Sequence, residues 1–213
     1  AGMFGIKKGI IGINTTQIDI PDKGVLLSAE LNKVNLENFY SLLGSDGSKP
    51  LITNANIDIK ELGIYGYKIF NSNIKYLPSN SNSSIQILSE DVIGNILWDK
   101  KNNILKAGFE KLHLKKNNIL IENENKFIFA NPPKINIKAN SIAVDDDTYG
   151  DLSLIAYKEN KIWNIQNFKI SNPEHTINGT GLWDDEGLSP NTSINFSWNI
   201  NNIEKTFEQL SYP

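Results

Sequence analysis

Two adjacent carboxylates beside an indole, in GTGLWDD at 179–185, and three in a row, in DDD at 145–147, are the residue types that first suggest chemistry in this chain. Facing carboxylates about 5–9.5 Å apart across a cleft hydrolyse glycosides, and a set of about six to eight oxygens holds calcium. The sequence offers neither arrangement. Its acids cluster where turns are due, the D-x-D-x-D-G spacing that wraps an ion is absent, and GNILWDK at 94–100 repeats the Leu-Trp-Asp but puts Lys100 where the second acid stood. Asp184 and Asp185 therefore read as turn carboxylates. The imidazoles, His113 in KLHLKK and His175 in SNPEHT, have no Ser or Cys motif beside them and read as surface or strand-face residues. With no phosphate loop and no G-x-S-x-G elbow, no catalytic residue, metal or cofactor is expected.

Composition narrows the classes further. The chain has 213 residues, 39% of them hydrophobic, with a net charge of −3, enough length and apolar content to bury a core. All its basic residues are lysines. Without arginine, bidentate base recognition is lost, and the mild acidity removes the electrostatic footprint that nucleic acid needs, so nucleic acid is set aside as a partner. The absence of cysteine excludes disulfides, thiolate metal sites and a thiol nucleophile. No uninterrupted apolar run approaches the roughly 20 residues that span a bilayer, and AGMFGIKKGIIGI lacks the form of a signal peptide, so any targeting segment is expected outside this chain.

Almost every segment alternates with the period of a strand. In TSINFSWNI, Ile194, Phe196, Trp198 and Ile200 fall on one face and Ser193, Asn195, Ser197 and Asn199 on the other. The same period places Ile57 with Ile59, Ile135 with Ile137, Ile142 with Val144, and Leu152 with Leu154. Turn-forming clusters such as DKKNN at 99–103 and DDEGLSPN at 184–191 separate these runs, and about a dozen strands are expected. Two stretches read as short helices, 34–44 and 201–212, with Asn35 and Asn202 as N-caps.

A longer repeat joins the strands. NIDIK pairs with KINIK, IQILSEDVIGNILWD with WNIQNFKISNPEHTINGTGLWD, and ILKAGFEKLHL with TSINFSWNI, at an offset drifting from 78 residues (Ile57/Ile135) to 85 (Trp98/Trp183). This divides the chain into 1–50, the end of a preceding unit, then 51–130 and 131–213, two units of about five strands in a fragment of a longer protein. Trp98 and Trp183 read as equivalent, each burying its rings before a turn with its N–H outward and the following acid capping the turn.

Residues 132–213 resemble the C-terminal half of the YhdP proteins, AsmA-like proteins of the Gram-negative envelope. The resemblance rests on the Pro-led strand at 132–133, the strand from Tyr149 to Ala156, the W-x-I-x-x-F/L-x-I strand from Trp163 to Ile170, and the G-x-G-x-W strand with Gly179, Gly181 and Trp183. It implies an all-β fold: a long curved antiparallel sheet forming an open apolar groove, with one or two short helices. It also implies a periplasmic segment of a protein anchored in the inner membrane by a helix outside this chain, moving phospholipid towards the outer membrane and meeting envelope proteins at its ends. The candidate lining is the alternating face: Ile57, Ile59, Ile135, Ile137, Ile142, Val144, Leu152, Leu154, Ile194, Phe196 and Trp198. The rival readings are a closed β-solenoid and a carbohydrate-binding β-sandwich using Trp163 or Trp98.

Overall fold

Successive side chains leave opposite faces of a strand, so a chain that alternates apolar and polar residues builds strands with one oily and one wet side. The computed structural model describes residues 7–16, 19–36, 52–64, 66–79, 81–116, 132–184 and 191–209. Among them, twelve strands form a single sheet whose strand order is the order of the sequence. They are β1 (Lys8–Ile13), β2 (Gly24–Asn35), β3 (Asn54–Ile64), β4 (Tyr67–Leu77), β5 (Asn82–Leu88), β6 (Val92–Asp99), β7 (Ile104–Lys116), β8 (Lys134–Val144), β9 (Asp147–Glu159), β10 (Ile162–Ser171), β11 (His175–Asp184) and β12 (Asn191–Ile200). One helix, α1 (Ile203–Gln209), follows them. The all-β class stands, and the described strands provide no second sheet from which to build a sandwich.

The sheet is mixed rather than antiparallel throughout. β1 with β2, β2 with β3, and β7 with β8 are parallel. Hairpins close with a few residues, whereas a parallel pair needs a crossover of about a dozen or more. The parallel seams accordingly coincide with the longer connections, 14–23, 36–53 and 117–133. Between seams run two antiparallel meanders, β3 to β7 and β8 to β12. The unit boundaries expected at 50/51 and 130/131 lie outside the described residues.

Matching turns tie the meanders together. Between β5 and β6, Ser89 Oγ accepts the amide of Val92 at 2.8 Å while Ser89 N–H donates to Val92 O at 2.8 Å. Between β10 and β11, Asn172 Oδ1 accepts the amide of His175 at 2.9 Å while Asn172 N–H donates to His175 O at 3.0 Å. His175 therefore stands where the other meander has Val92. β9 and β10 are joined by Asn160 and Lys161, both left-handed (φ 49° and 72°), the two-residue turn whose twist matches the strands it connects.

At one rim the sheet curls. The short β5–β6 hairpin reaches β4 only as far as Asn73, and beyond it β4 meets β7 directly, Tyr67 pairing with Lys116 and Lys68 with Lys115. Val34, Ile59, Leu62, Ile69, Ile87 and Val92 pack together there. Each such side chain contributes about 1.5–3 kcal/mol by leaving water. Val34 explains why the helix expected from residue 34 begins otherwise: it is buried and pairs with Leu62, so tertiary pairing carries Val34 and Asn35 into β2. Residues 37–44 of that expectation lie outside the described residues. The second helix forms as expected, with Asn202 Oδ1 accepting the amide of Lys205 at 3.1 Å as its N-cap.

Candidate functional site

Directly paired residues on neighbouring strands point to the same face, so the register can be followed from one edge of the sheet to the other. One row runs Ile13, Ala29, Ile57, Ile74, Ile87, Gly94, Phe109, Ala139, Leu152, Ile170, Ile177, Trp198. Beside it runs Ile11, Leu27, Ala55, Tyr76, Ile85, Ile96, Ala107, Ile137, Leu154, Phe168, Gly179, Phe196. No charged side chain interrupts either row, and both cross all the described parallel seams. A shorter third row, Trp98, Leu105, Ile135, Ala156, Ile165, Gly181, Ile194, lies next to them. The row between the first two belongs to the other face: Ser28, Asn56, Lys75, Gln86, Asn95, Gly108, Lys138, Ser153, Lys169, Asn178 and Ser197.

Every candidate lining residue lies on the first, apolar face. Ile57, Leu152 and Trp198 share one row, Ile137, Leu154 and Phe196 the next, and Ile135 and Ile194 the third. Ile142 and Val144 join through Leu112 and Leu114 of β7, of which Leu112 packs against the curled core. Ile59 differs from the rest, because it is itself part of that packed core. Phe196 is at the other extreme, 63% exposed on the edge strand β12.

The acids and imidazoles take other roles. Asp99 Oδ1 accepts the amide of Asn102 at 3.1 Å and Oδ2 its side-chain amide at 2.7 Å, the turn cap expected after Trp98, and these hydrogen bonds hold the Asp99 carboxyl below its ordinary range. Asp145, in the β8–β9 turn, accepts the amide of Lys116 at 2.8 Å. Asp185 lies outside the described residues. His113 is a strand-face residue 2.9 Å from Ser141 Oγ; partial burial, with Lys111 nearby, lowers its pKa. His175 departs from the surface reading: it is 1% exposed, its ring lies edge-on to Trp198 with centroids 6.0 Å apart, and neither ring nitrogen has a hydrogen-bond partner among the described residues. The described residues contain no cluster of His, Cys, Asp and Glu able to hold a metal.

The tryptophans also differ from expectation. Trp98 shares its row with Gly181, not with Trp183, because β11 has 10 residues against 8 in β6 and so carries its tryptophan one row farther from the matched turn. Trp98 Nε1 is buried, with no hydrogen-bond partner among the described residues, rather than turned outward. Trp183 instead stacks on Trp163, with ring centroids 6.4 Å apart and planes at 22°.

The profile of the YhdP family, described as YhdP protein, matches residues 1–213, the whole chain. The chain belongs to the YhdP family. No curated protein and no solved structure matches it. The match includes residues 1–130, where the motif resemblance is weakest. Two of the family-like motifs of the C-terminal part, the W-x-I-x-x-F/L-x-I and G-x-G-x-W strands, acquire a geometric meaning: they are the two strands of one hairpin. Trp163 pairs with Trp183 and stacks on it, Ile165 and Phe168 face Gly181 and Gly179, which leave room for them, and Ile170 pairs with Ile177. Sequence reasoning found the apolar face but not its continuity through the seams, nor the slot of His175; the recurring SEDV and NPEH turns were the available signal for the latter. No helix among the described residues is long and apolar enough to cross a membrane.

Proposed function

We propose that this chain is a periplasmic segment of a conduit between the inner and outer membranes, in which phospholipid acyl chains travel along the apolar face of the sheet. The observation that carries this reading is the pair of uninterrupted apolar rows from β1 to β12. They run across the strands, and strands about 4.8 Å apart make twelve of them a path of roughly 50 Å, longer than one lipid. A lipid leaving a bilayer forfeits about 0.8 kcal/mol per methylene, on the order of 10 kcal/mol per chain, unless another apolar surface takes it up. Hydrogen bonds worth about 1 kcal/mol net cannot replace that, whereas a continuous apolar strip can. Family membership supports the reading, and transport of this kind needs no catalytic residue.

The lining proposed is the half-exposed part of the face, from Ile57 through Ile137, Leu152 and Leu154 to Phe196 and Trp198, with Ile59 serving the packed rim. The partners proposed are acyl chains along the strip and envelope proteins at its ends. Protein purified without detergent is expected to carry phospholipid detectable by mass spectrometry, and Phe196→Asp and Ile137→Asp are expected to lose most of it while remaining folded. A wild-type chain free of lipid, together with variants that transfer lipid normally, would sink the proposal.

A further inference from the structure

The polar face of the sheet carries a hollow of its own. It measures about 330 Å³, near the small end of the range of about 300–1,000 Å³ usual for small-molecule sites. Asn56, Lys75 and Gln86 line it from one row, each pairing with the next on adjacent strands about 4.8 Å apart. Asn54, which pairs with Leu26, and Leu77, two residues along β4 from Lys75, line it from the neighbouring row. Three amides and one ammonium thus stand beside two leucines. The hydrogen bonds around them leave this set open. Asn73 Nδ2 donates to Asn56 Oδ1 at 2.9 Å and to Asp58 Oδ1 at 2.8 Å. The first bond engages the oxygen of Asn56 and leaves its N–H donors, and the second occupies the carboxylate diagonal to Lys75. Lys75 is exposed and forms no ion pair among the described residues. Asn54 Oδ1 is buried with no hydrogen-bond partner among the described residues, so its amide can turn towards an incoming hydroxyl without giving one up.

We propose that this hollow binds a saccharide unit bearing a carboxylate. Lys75 takes the carboxylate, in a bond stronger than one between neutral groups. The amides of Asn54, Asn56 and Gln86 meet the ring hydroxyl and acetamido groups, which both donate and accept as amides do, and Leu26 and Leu77 rest against the C–H face of the ring. An extended peptide would instead add to a sheet edge, and this hollow lies among strands that are paired on both sides. The site is on the face away from the apolar rows, so it stands apart from the acyl-chain path, and it uses neither Trp98 nor Trp163.

The test titrates the full chain with N-acetylmuramic acid, which carries hydroxyl, acetamido and carboxylate groups, and with its neutral counterpart N-acetylglucosamine. Binding is read from the side-chain amide signals of Asn56 and Gln86 by nuclear magnetic resonance. Both signals are expected to shift saturably, with the acid bound roughly tenfold more tightly than the neutral sugar, the scale of one hydrogen bond to a charged group. The K75Q variant, shown folded by circular dichroism, is expected to lose that preference and keep its affinity for the neutral sugar, whereas Q86A is expected to weaken both. No saturable shift with either sugar overturns the proposal, and so does a preference for the acid that survives in K75Q. Acetate binding as tightly as the acidic sugar would mark a bare carboxylate site and overturn it as well. Phospholipid carried by K75Q is expected to equal that of the wild type; a loss would put the hollow on the lipid path and overturn its separate role.

Discussion

The ring of Phe168 on β10 fills the space that a side chain on its paired residue, Gly179 of β11, would need. A Cβ at Gly179 would approach Phe168 Cζ to 2.7 Å and the carbonyl oxygen of Asn195 to 2.7 Å. One contact is with a ring that has some room to move, and the other is with the backbone of the next strand. Gly179→Ala should therefore cost about 1–3 kcal/mol, the usual scale of overpacking. In a Phe168→Leu background the alanine should cost less, because only the backbone contact remains. Denaturant unfolding of the four proteins of this double-mutant cycle measures the difference; additive costs would show that the ring is not what excludes the side chain.

The same pair shows what is legible in this sequence. Strand existence and facing are local properties, because alternation at a period of two is written into each run, and the face of Ile135 and Ile137 or of Ile194, Phe196 and Trp198 can be read without knowing any neighbour. Register is not local. It depends on the number of residues between a turn and a motif, and the shared Gly and Leu-Trp-Asp of GNILWD and GTGLWD conceal that Trp183 lies one row beyond Trp98. Pairing direction is less local still: nothing in KINIK states that it runs parallel to the strand holding Leu105 and Ala107. The imidazole of His175 was hidden for a related reason, since polarity argues for a surface while only the matched turn shows that its position belongs to the core.

Two apolar residues on the same face should respond oppositely to substitution. Leu62 is 1% exposed inside the curled core, so Leu62→Ala should lower unfolding free energy by about 2–5 kcal/mol through lost transfer energy and a cavity. Phe196 lies on the open edge strand, so Phe196→Asp should cost less than about 1 kcal/mol while removing bound lipid. Chemical denaturation together with lipid analysis separates the two. A Phe196→Asp chain as unstable as Leu62→Ala would place that ring in a packed core and remove it from the lining.

Glu61 bridges Lys33 at 3.1 Å and Lys68 at 3.0 Å, tying the ends of β2, β3 and β4. Hydrogen bonds from Lys68 first and Lys33 second hold its carboxyl below the ordinary value of 4.5. A carboxylate whose folded pKa is depressed contributes stability that is present above its unfolded value and is lost as pH falls through the folded value. Glu61→Gln should therefore be less stable than the wild type at neutral pH, and the gap should close as pH falls below 4.5. Raising salt should narrow it too, because the group is open to solvent. Unfolding curves from pH 7 downward test this, and a gap independent of pH would assign the effect to packing.

His175 sits where the other meander has Val92, both 1% exposed, with Thr206 of α1 closed over the same end and its hydroxyl donating to the carbonyl oxygen of Asn202 at 2.6 Å. Leaving a buried polar atom unpaired costs about 1–3 kcal/mol, whereas an apolar group of similar shape carries no such penalty. His175→Leu should then raise the unfolding free energy at pH 7 by about 1 kcal/mol or more, after allowance for imperfect packing against Trp198. His175→Ala should lower it, because the cavity outweighs the relief. Loss of stability in both variants would show that the ring packs better than leucine can and that its nitrogens are satisfied in solution. Gain in the leucine variant alone would confirm that the buried ring nitrogens cost the fold stability.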